Sequence, residues 1–226
     1  MSVLFIGPEN RRQQLPAALA ALPARFLPAG HAVHAADLQG VALVFDLEFD
    51  TYPERLGLYA TQTQIFFFLH SNRIQLAAVA AALGVRLPLF HVAGLNAWPG
   101  CLSVTPWEVS LATENALPLL HDKLQALGIE FVRVADRVGM VTPRVICMII
   151  NEAYYTLQEG TANKTDIDLG MKLGTNYPHG PFAWSELIGL REVRSLLEAM
   201  YADTQDPRYK LCPLLKTESL APSFEA

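Results

Sequence analysis

Four short stretches of this 226-residue chain carry residue types that could do chemistry. The first is an apolar run, Val3 to Ile6, followed by the turn Gly7-Pro8-Glu9-Asn10-Arg11-Arg12. A strand-to-glycine turn that opens an α/β domain is the form used to lay a dinucleotide pyrophosphate on a helix N-terminus. Of the GxGxxG pattern only Gly7 is present, because Glu9 and Arg12 hold the second and third glycine positions. A carboxylate there repels a pyrophosphate, and Pro8 has no N–H to offer it. The second stretch is His70-Ser71-Asn72, which follows a Phe-rich run at the end where open parallel sheets take ligands. The third, His31 and His34, has the spacing of one helix face but no carboxylate or cysteine cluster to complete a metal set. The fourth is a scatter of three cysteines, Cys101, Cys147 and Cys212, odd in number and without close pairs, which argues against both a disulfide framework and a zinc site. No Ser-His-Asp order or nucleophile elbow is present.

The elements that must position these residues alternate. Strands are expected at Val3–Ile6, Val41–Leu47, Ile65–Leu69, Leu87–Val92 and Ile129–Val134, each a buried apolar run. Helices are expected over residues 11–22, Pro53–Ala60, Ile74–Leu83 and Ala112–Leu127. His91 and His121 fall on strand and helix surfaces in this reading. Strands alternating with helices imply a parallel sheet covered on both faces. From about Asp136 the strands stop, so the chain divides into an α/β domain over 1–135 and an all-α domain over 136–226.

The second part is well punctuated. Thr142 followed by Pro143 reads as a hydroxyl cap with proline at the first helical position. Val145, Ile146, Met148, Ile149, Ala153 and Leu157 give a broad apolar stripe, which predicts a largely buried helix closed at Gly160. Thr165 is the expected cap of a second helix stopping at Gly174, and Pro181 opens a third.

Bulk properties narrow the class. With 51% hydrophobic and 17% charged residues, the chain reads as folded and soluble. A net charge of -5 gives no basic face for nucleic acid, and no apolar run is long enough for a membrane span. The start of the chain lacks the order of a signal peptide, so a cytoplasmic location is expected.

Across residues 139–215 a family resemblance emerges. Asn151-Glu152-Ala153, Glu159-Gly160, Asp166-Ile167-Asp168, Gly170-Met171, Gly174, Tyr177-Pro178, Gly180-Pro181-Phe182, Gly189-Leu190, Arg208-Tyr209 and Pro213-Leu214-Leu215 fall in order and at matching gaps. They resemble the C-terminal domain of the 3-hydroxyacyl-CoA dehydrogenases. The resemblance implies a Rossmann-like, doubly wound first domain, NAD as cofactor, an acyl-CoA ligand and a homodimer formed through the helical domain. Val41 to Asp46 resembles the family's fourth strand. Only residues 7–40, with Pro16, Pro23 and Pro28, separate it from the first, so the half that holds the adenosine ribose is shortened. No acidic residue in that interval marks the end of a second strand.

The same resemblance assigns the catalytic positions. Gly94-Leu95-Asn96-Ala97-Trp98-Pro99-Gly100 is similar to the family's catalytic-histidine stretch, with Asn96 at the histidine position. Glu108 matches the family's glutamate. Gly139-Met140-Val141-Thr142-Pro143-Arg144 is similar to the motif that supplies an asparagine, and Pro143 stands in its place. His70-Ser71-Asn72 loosely resembles a substrate-contacting turn, which makes Ser71 and Asn72 candidate substrate contacts, and Trp98 a candidate wall of an acyl pocket. Asn96 cannot accept a proton, and Pro143 has neither a side-chain donor nor an N–H. The expectation is therefore a family member whose dehydrogenase activity is lost or much reduced. The alternative is an active oxidoreductase interconverting 3-hydroxyacyl-CoA and 3-oxoacyl-CoA, or other thioester chemistry that uses Glu108 as a base, its pKa raised by burial against Trp107 and by the lost histidine partner.

Overall fold

The computed structural model describes residues 2–220, apart from the side chains of Arg12 and Gln13. It contains two compact units, residues 1–140 and 141–226.

The first unit is built on a seven-stranded sheet. Its strands are β1 (Val3–Ile6), β2 (Ala24–Leu27), β3 (Leu43–Asp46), β4 (Phe66–His70), β5 (Val92–Leu95), β6 (Trp107–Ser110) and β7 (Phe131–Val134). They lie in the order β2-β1-β3-β4-β5-β6-β7. The first five run parallel, β6 runs antiparallel to β5, and β7 is parallel to β6. The expected α/β, Rossmann-like class is the one observed.

Side chains alternate across the sheet, so each strand feeds two cores. On one face Phe26, Phe5, Phe45 and Phe68 are register partners across four adjacent strands. Their rings stack at 5.1, 5.1 and 4.7 Å, and Trp107 meets Phe45 and Phe68 edge-on. On the other face Leu4, Ile6, Val44, Phe67 and Leu69 pack with Tyr59, whose ring stacks on Phe67 at 4.4 Å. Each such fully buried side chain contributes about 1.5–3 kcal/mol.

Several expected elements shift. Residues 11–22 do not form one helix: a 3-10 turn (Glu9–Gln14) and a short α1 (Ala17–Ala20) are separated at Pro16, which cannot continue a helix interior. Leu87–Val92 is not a strand; β5 starts at Val92, and Leu87 and Phe90 are exposed. Two strands lie where the sequence pattern predicts none. β2 is a half-exposed edge strand with no continuous apolar run, and β6 is four residues long with Glu108 inside it. The expected helices appear as α2 (Leu56–Tyr59, entered through a 3-10 turn at Pro53–Arg55), α3 (Leu76–Ala82) and α4 (Leu117–Ala126).

The second unit is helical: α5 (Thr142–Gln158), α6 (Lys164–Thr175), α7 (Pro181–Ile188), α8 (Leu190–Thr204) and α9 (Pro213–Leu220). Thr142 is the first helical residue rather than the cap, a position taken by Val141. The cap of α6 is Asn163, not Thr165; its side chain accepts from the Asp166 N–H at 3.0 Å. That helix runs past Gly174 and closes at Asn176 in the left-handed region. Pro181 opens α7 as expected. The Asp168 carboxylate accepts from the Phe182 and Ala183 N–H groups at 2.8 and 3.0 Å, so α6 supplies the cap that α7 lacks. Gly180 must be glycine for this: a Cβ there would lie 2.4 Å from Asp168 Cβ. Asn151 on α5 ties down the 210–212 segment, accepting from Cys212 N at 2.9 Å and donating to Lys210 O at 3.0 Å. The predicted stripe of α5 is only partly covered: Ala153 is buried, Ile146, Met148, Ile149 and Leu157 are half-buried and Val145 is 51% exposed within the chain, while the buried side is formed by Cys147, Ile150 and Tyr154.

Candidate functional site

The crevice of a doubly wound sheet lies where the strand order reverses, here beyond the end of β1, between β1 and β3. Gly7 makes that turn with φ of 144°, and a Cβ on it would sit 3.1 Å from the Leu47 Cβ. The chain then enters the 3-10 turn Glu9–Gln14, so no α-helix N-terminus is aimed at the crevice. Glu9, at the second glycine position, is exposed; the Arg12 side chain, at the third, lies outside the described residues. The Arg11 guanidinium donates to Ala97 O, and Gln14 Oε1 accepts from Gly100 N at 3.1 Å. The space left among Phe5, Gly7, Pro8, Arg11, Leu15, Phe26 and Leu47 is about 10 Å³. β2 ends at Leu27 and is followed by Pro28, not by an acidic residue able to hold a ribose. These residues do not fit a dinucleotide.

The 96–101 loop that receives Arg11 and Gln14 contains Asn96, the residue that the sequence resemblance sets at the catalytic-histidine position. Asn96 is buried, and both the oxygen and the nitrogen of its amide are hydrogen-bonded. Its Oδ1 accepts from Asn72 Nδ2 at 3.0 Å and from Trp98 N at 3.3 Å, and its Nδ2 donates to Cys101 Sγ at 3.5 Å. The structure thus brings Asn72 and Asn96 together. Trp98 is buried rather than lining an open pocket. Ser71 lies at the same strand end but turns toward Gly94 and Ser110; a Cβ on Gly94 would fall within 2.4 Å of both hydroxyl oxygens. Neither hydroxyl has a hydrogen-bond partner among the described residues.

Glu108 sits on β6 beside Trp107, but alternation sends the two side chains to opposite faces, correcting the expectation of burial against that indole. Trp107 joins the phenylalanine row. The charge of Glu108 is felt instead at Cys101, whose thiol is pushed up to about 11 by burial and by that carboxylate, partly offset by Arg11. Cys101 is therefore a thiol at neutral pH, not a nucleophilic thiolate. Pro143 is buried in the first turn of α5 in the second unit.

Two buried ion clusters were not anticipated. Asp50 receives Arg73 through bonds of 2.9 and 2.7 Å and lies 3.4 Å from His70 Nε2. His70 Nδ1 accepts from Ala97 N at 3.2 Å, so both ring nitrogens are in use and the Asn96 loop rests on this imidazole. Burial alone would raise the Asp50 pKa, but His70 and Arg73 outweigh it and hold the carboxyl below 3.8. Asp46, at the end of β3, accepts from Arg55 Nη1 on both oxygens at 3.0 Å and from Tyr59 Oη at 2.7 Å. Its pKa is raised by burial, with Arg55 pulling it back down. The available signal was the run Phe45-Asp46-Leu47-Glu48-Phe49-Asp50, where acids interrupt an apolar stretch. His31 and His34 lie in a loop, not on a helix, and both reach Asp37. His91 is buried rather than at a surface, its Nε2 3.1 Å from Tyr59 O, and burial lowers its pKa. Among the described residues no group of three His, Cys, Asp or Glu could hold a metal ion, and no helix is long and apolar enough to cross a membrane.

Residues 139–225 match the family model of the 3-hydroxyacyl-CoA dehydrogenase C-terminal domain. A 3-hydroxyadipyl-CoA dehydrogenase of Escherichia coli is 42% identical over 100 residues, 44% of this chain and 21% of that protein. The mitochondrial hydroxyacyl-coenzyme A dehydrogenase of Homo sapiens is 27% identical over 189 residues, 83% of this chain and 60% of that protein. The matched span is thus less than two thirds of the length of these relatives. In fold, the (S)-3-hydroxybutyryl-CoA dehydrogenase of Ralstonia eutropha superposes with a TM-score of 0.73 over 96% of this chain and 92% of its own, at 20% identity. The motifs of residues 139–215 and the family-model match that contains them identify residues 139–225 as a domain of the 3-hydroxyacyl-CoA dehydrogenase C-terminal type, and the fold of the chain is the one seen in those dehydrogenases.

Proposed function

We propose that this chain is a family member in which dehydrogenation is lost or much reduced while affinity for an acyl-CoA-like ligand is kept. The observation that carries the reading is the Asn96 amide, locked by Asn72, Trp98 and Cys101 where a proton acceptor is needed. Loss of a general base costs roughly 10²–10⁴ in rate. Loss of the electrophilic amide, replaced by Pro143, costs about 10²–10³. Groups acting as a unit are not additive, so the larger single factor is the safer bound. Titration calorimetry with acetoacetyl-CoA tests the ligand claim: saturable heat supports it, and no heat rejects it.

A second reading keeps the chain active through Glu108, favoured by its half-exposed position on β6 and the reach of its charge to Cys101. Any thioester-directed activity should then vanish in Glu108→Gln; an unchanged rate removes this reading.

The homodimer belongs to the same proposal. Within the second unit, α5, α6 and Tyr209 border an apolar groove of about 730 Å³, with Val145, Met148, Ile149, Ile167 and Met171 in its walls. Beside it α6 presents Leu169 and Leu173, 54% and 78% exposed. A groove next to protruding apolar side chains is self-complementary under a two-fold axis, and the rim bears Arg144 and Arg208 with Glu152 and Asp166. Light scattering should give a dimer that Leu173→Asp converts to monomer; a monomeric wild type ends this part. Three free cysteines accord with the proposed cytoplasmic location.

A further inference from the structure

The family's cofactor and this crevice disagree, and we propose that the disagreement is a built device: the segment Glu9–Gln14 is a strap that holds the crevice shut with the chain's own side chains. Two contacts fasten it, the Arg11 guanidinium on Ala97 O and the Gly100 N–H on Gln14 Oε1 at 3.1 Å. The loop it closes upon is itself fixed from below. Ala97 N donates to His70 Nδ1, Asn72 Nδ2 donates to Asn96 Oδ1, and Cys101 N donates to Trp98 O at 3.0 Å. The strap therefore presses on a braced loop.

The space among Phe5, Gly7, Pro8, Arg11, Leu15, Phe26 and Leu47, on the β1 side of the strap, is about 10 Å³, room for one water, whereas small-molecule sites hold about 300–1,000 Å³. A dinucleotide enters only if Arg11 and Gln14 withdraw, which leaves Ala97 O and Gly100 N to find other partners. The chemistry inside is also replaced. Arg11 brings a fixed cation close enough to influence the Cys101 thiol, and Leu15 and Phe26 cover the ground beside Gly7. In this chain the crevice contributes internal bracing of the Asn96 loop instead of a redox cofactor.

Two measurements on the full chain test the strap. Amide hydrogen exchange resolved at Gly100 should show protection in the wild type that falls severalfold in Gln14→Ala. Calorimetry with NAD should show no binding to the wild type up to millimolar concentration. Gly100 exchanging as fast in the wild type as in Gln14→Ala overturns the proposal, as does sub-millimolar NAD binding to the wild type. Because Gln14→Ala removes one side-chain amide only, Arg11→Lys, which keeps the charge but loses the planar fork, gives an independent check and should likewise loosen Gly100. Silence with acetoacetyl-CoA alongside a protected Gly100 would reject only the ligand reading and leave the strap standing.

Discussion

Arg55→Met is the sharpest perturbation of the first unit. The wild-type guanidinium places Nη1 3.0 Å from both Asp46 oxygens and Nη2 2.8 Å from His31 O. Asp46 is wholly buried and Arg55 nearly so. Methionine retains most of the packed stem but strands the carboxylate, leaving it the Tyr59 hydroxyl and the Glu48 N–H at 3.1 Å. Breaking one side of a buried pair costs about 3–5 kcal/mol. The sign with pH is set by the direction of the shift. Burial raises the folded pKa of Asp46 above 3.8, so its favourable contribution is complete below 3.8 and is lost as pH rises through the folded value. Removing Arg55, which lowers that pKa, pushes it further up, so the deficit of the variant is greatest at neutral pH and shrinks on acidification. Asp46→Asn combined with Arg55→Met should recover most of the loss, since no buried charge remains. The assay is urea unfolding followed by the fluorescence of Trp98 and Trp107, with Trp184→Phe as a common background. A deficit below about 1 kcal/mol at neutral pH, or one indifferent to pH, refutes the reasoning, because it would mean the pair is not buried as described.

Other outcomes rest on the same kinds of bond. Asp168→Ala removes both capping bonds to α7 and should cost about 1–3 kcal/mol, with faster exchange at the Phe182 and Ala183 amides; unchanged exchange there would sink the cap. Gly180→Ala should destabilise comparably through collision with Asp168 Cβ, and Asp168→Ala should not rescue it, because that Cβ remains; rescue would contradict the geometry. Asp50, held below 3.8, contributes stability that is complete above 3.8 and lost as pH falls through its folded value. Asp50→Asn should therefore lower stability at neutral pH and flatten the acid limb of the stability curve; an acid limb as steep as that of the wild type would show that other carboxylates control it.

What the sequence made legible was decided by how local the cause was. Phe66 to Leu69 is a strand on any reading, because a run buried on both faces is continuous and apolar. β2 and β6 were hidden for opposite reasons. β2 is a sheet edge with Ala24 and Arg25 exposed, while β6 depends on pairing with β5 and β7 more than on its four residues. Pro181 signals a helix start by itself, but the carboxylate that caps that helix comes from Asp168, on the preceding helix. At the candidate site, an amide at Asn96 and Glu9 and Arg12 in place of glycines after Gly7 were visible as residue types. The partners of those residues were not: Arg11 meets a carbonyl 86 positions away, and Arg73 meets Asp50 across 23. Contacts of that kind are set by the sheet order and have no signature in residue spacing. The half-open stripe on α5 is the reverse case, where an apolar pattern announces burial without saying whether this chain or another provides it.

We propose that hydride transfer is lost in this chain because Asn96, Pro143 and the Arg11 strap stand where a base, an amide and the cofactor would be needed. It is tested most directly by incubating the full chain with 3-hydroxybutyryl-CoA and NAD and following NADH. The expected result is no NADH above the protein-free blank. Stoichiometric conversion that scales with the amount of protein would contradict it.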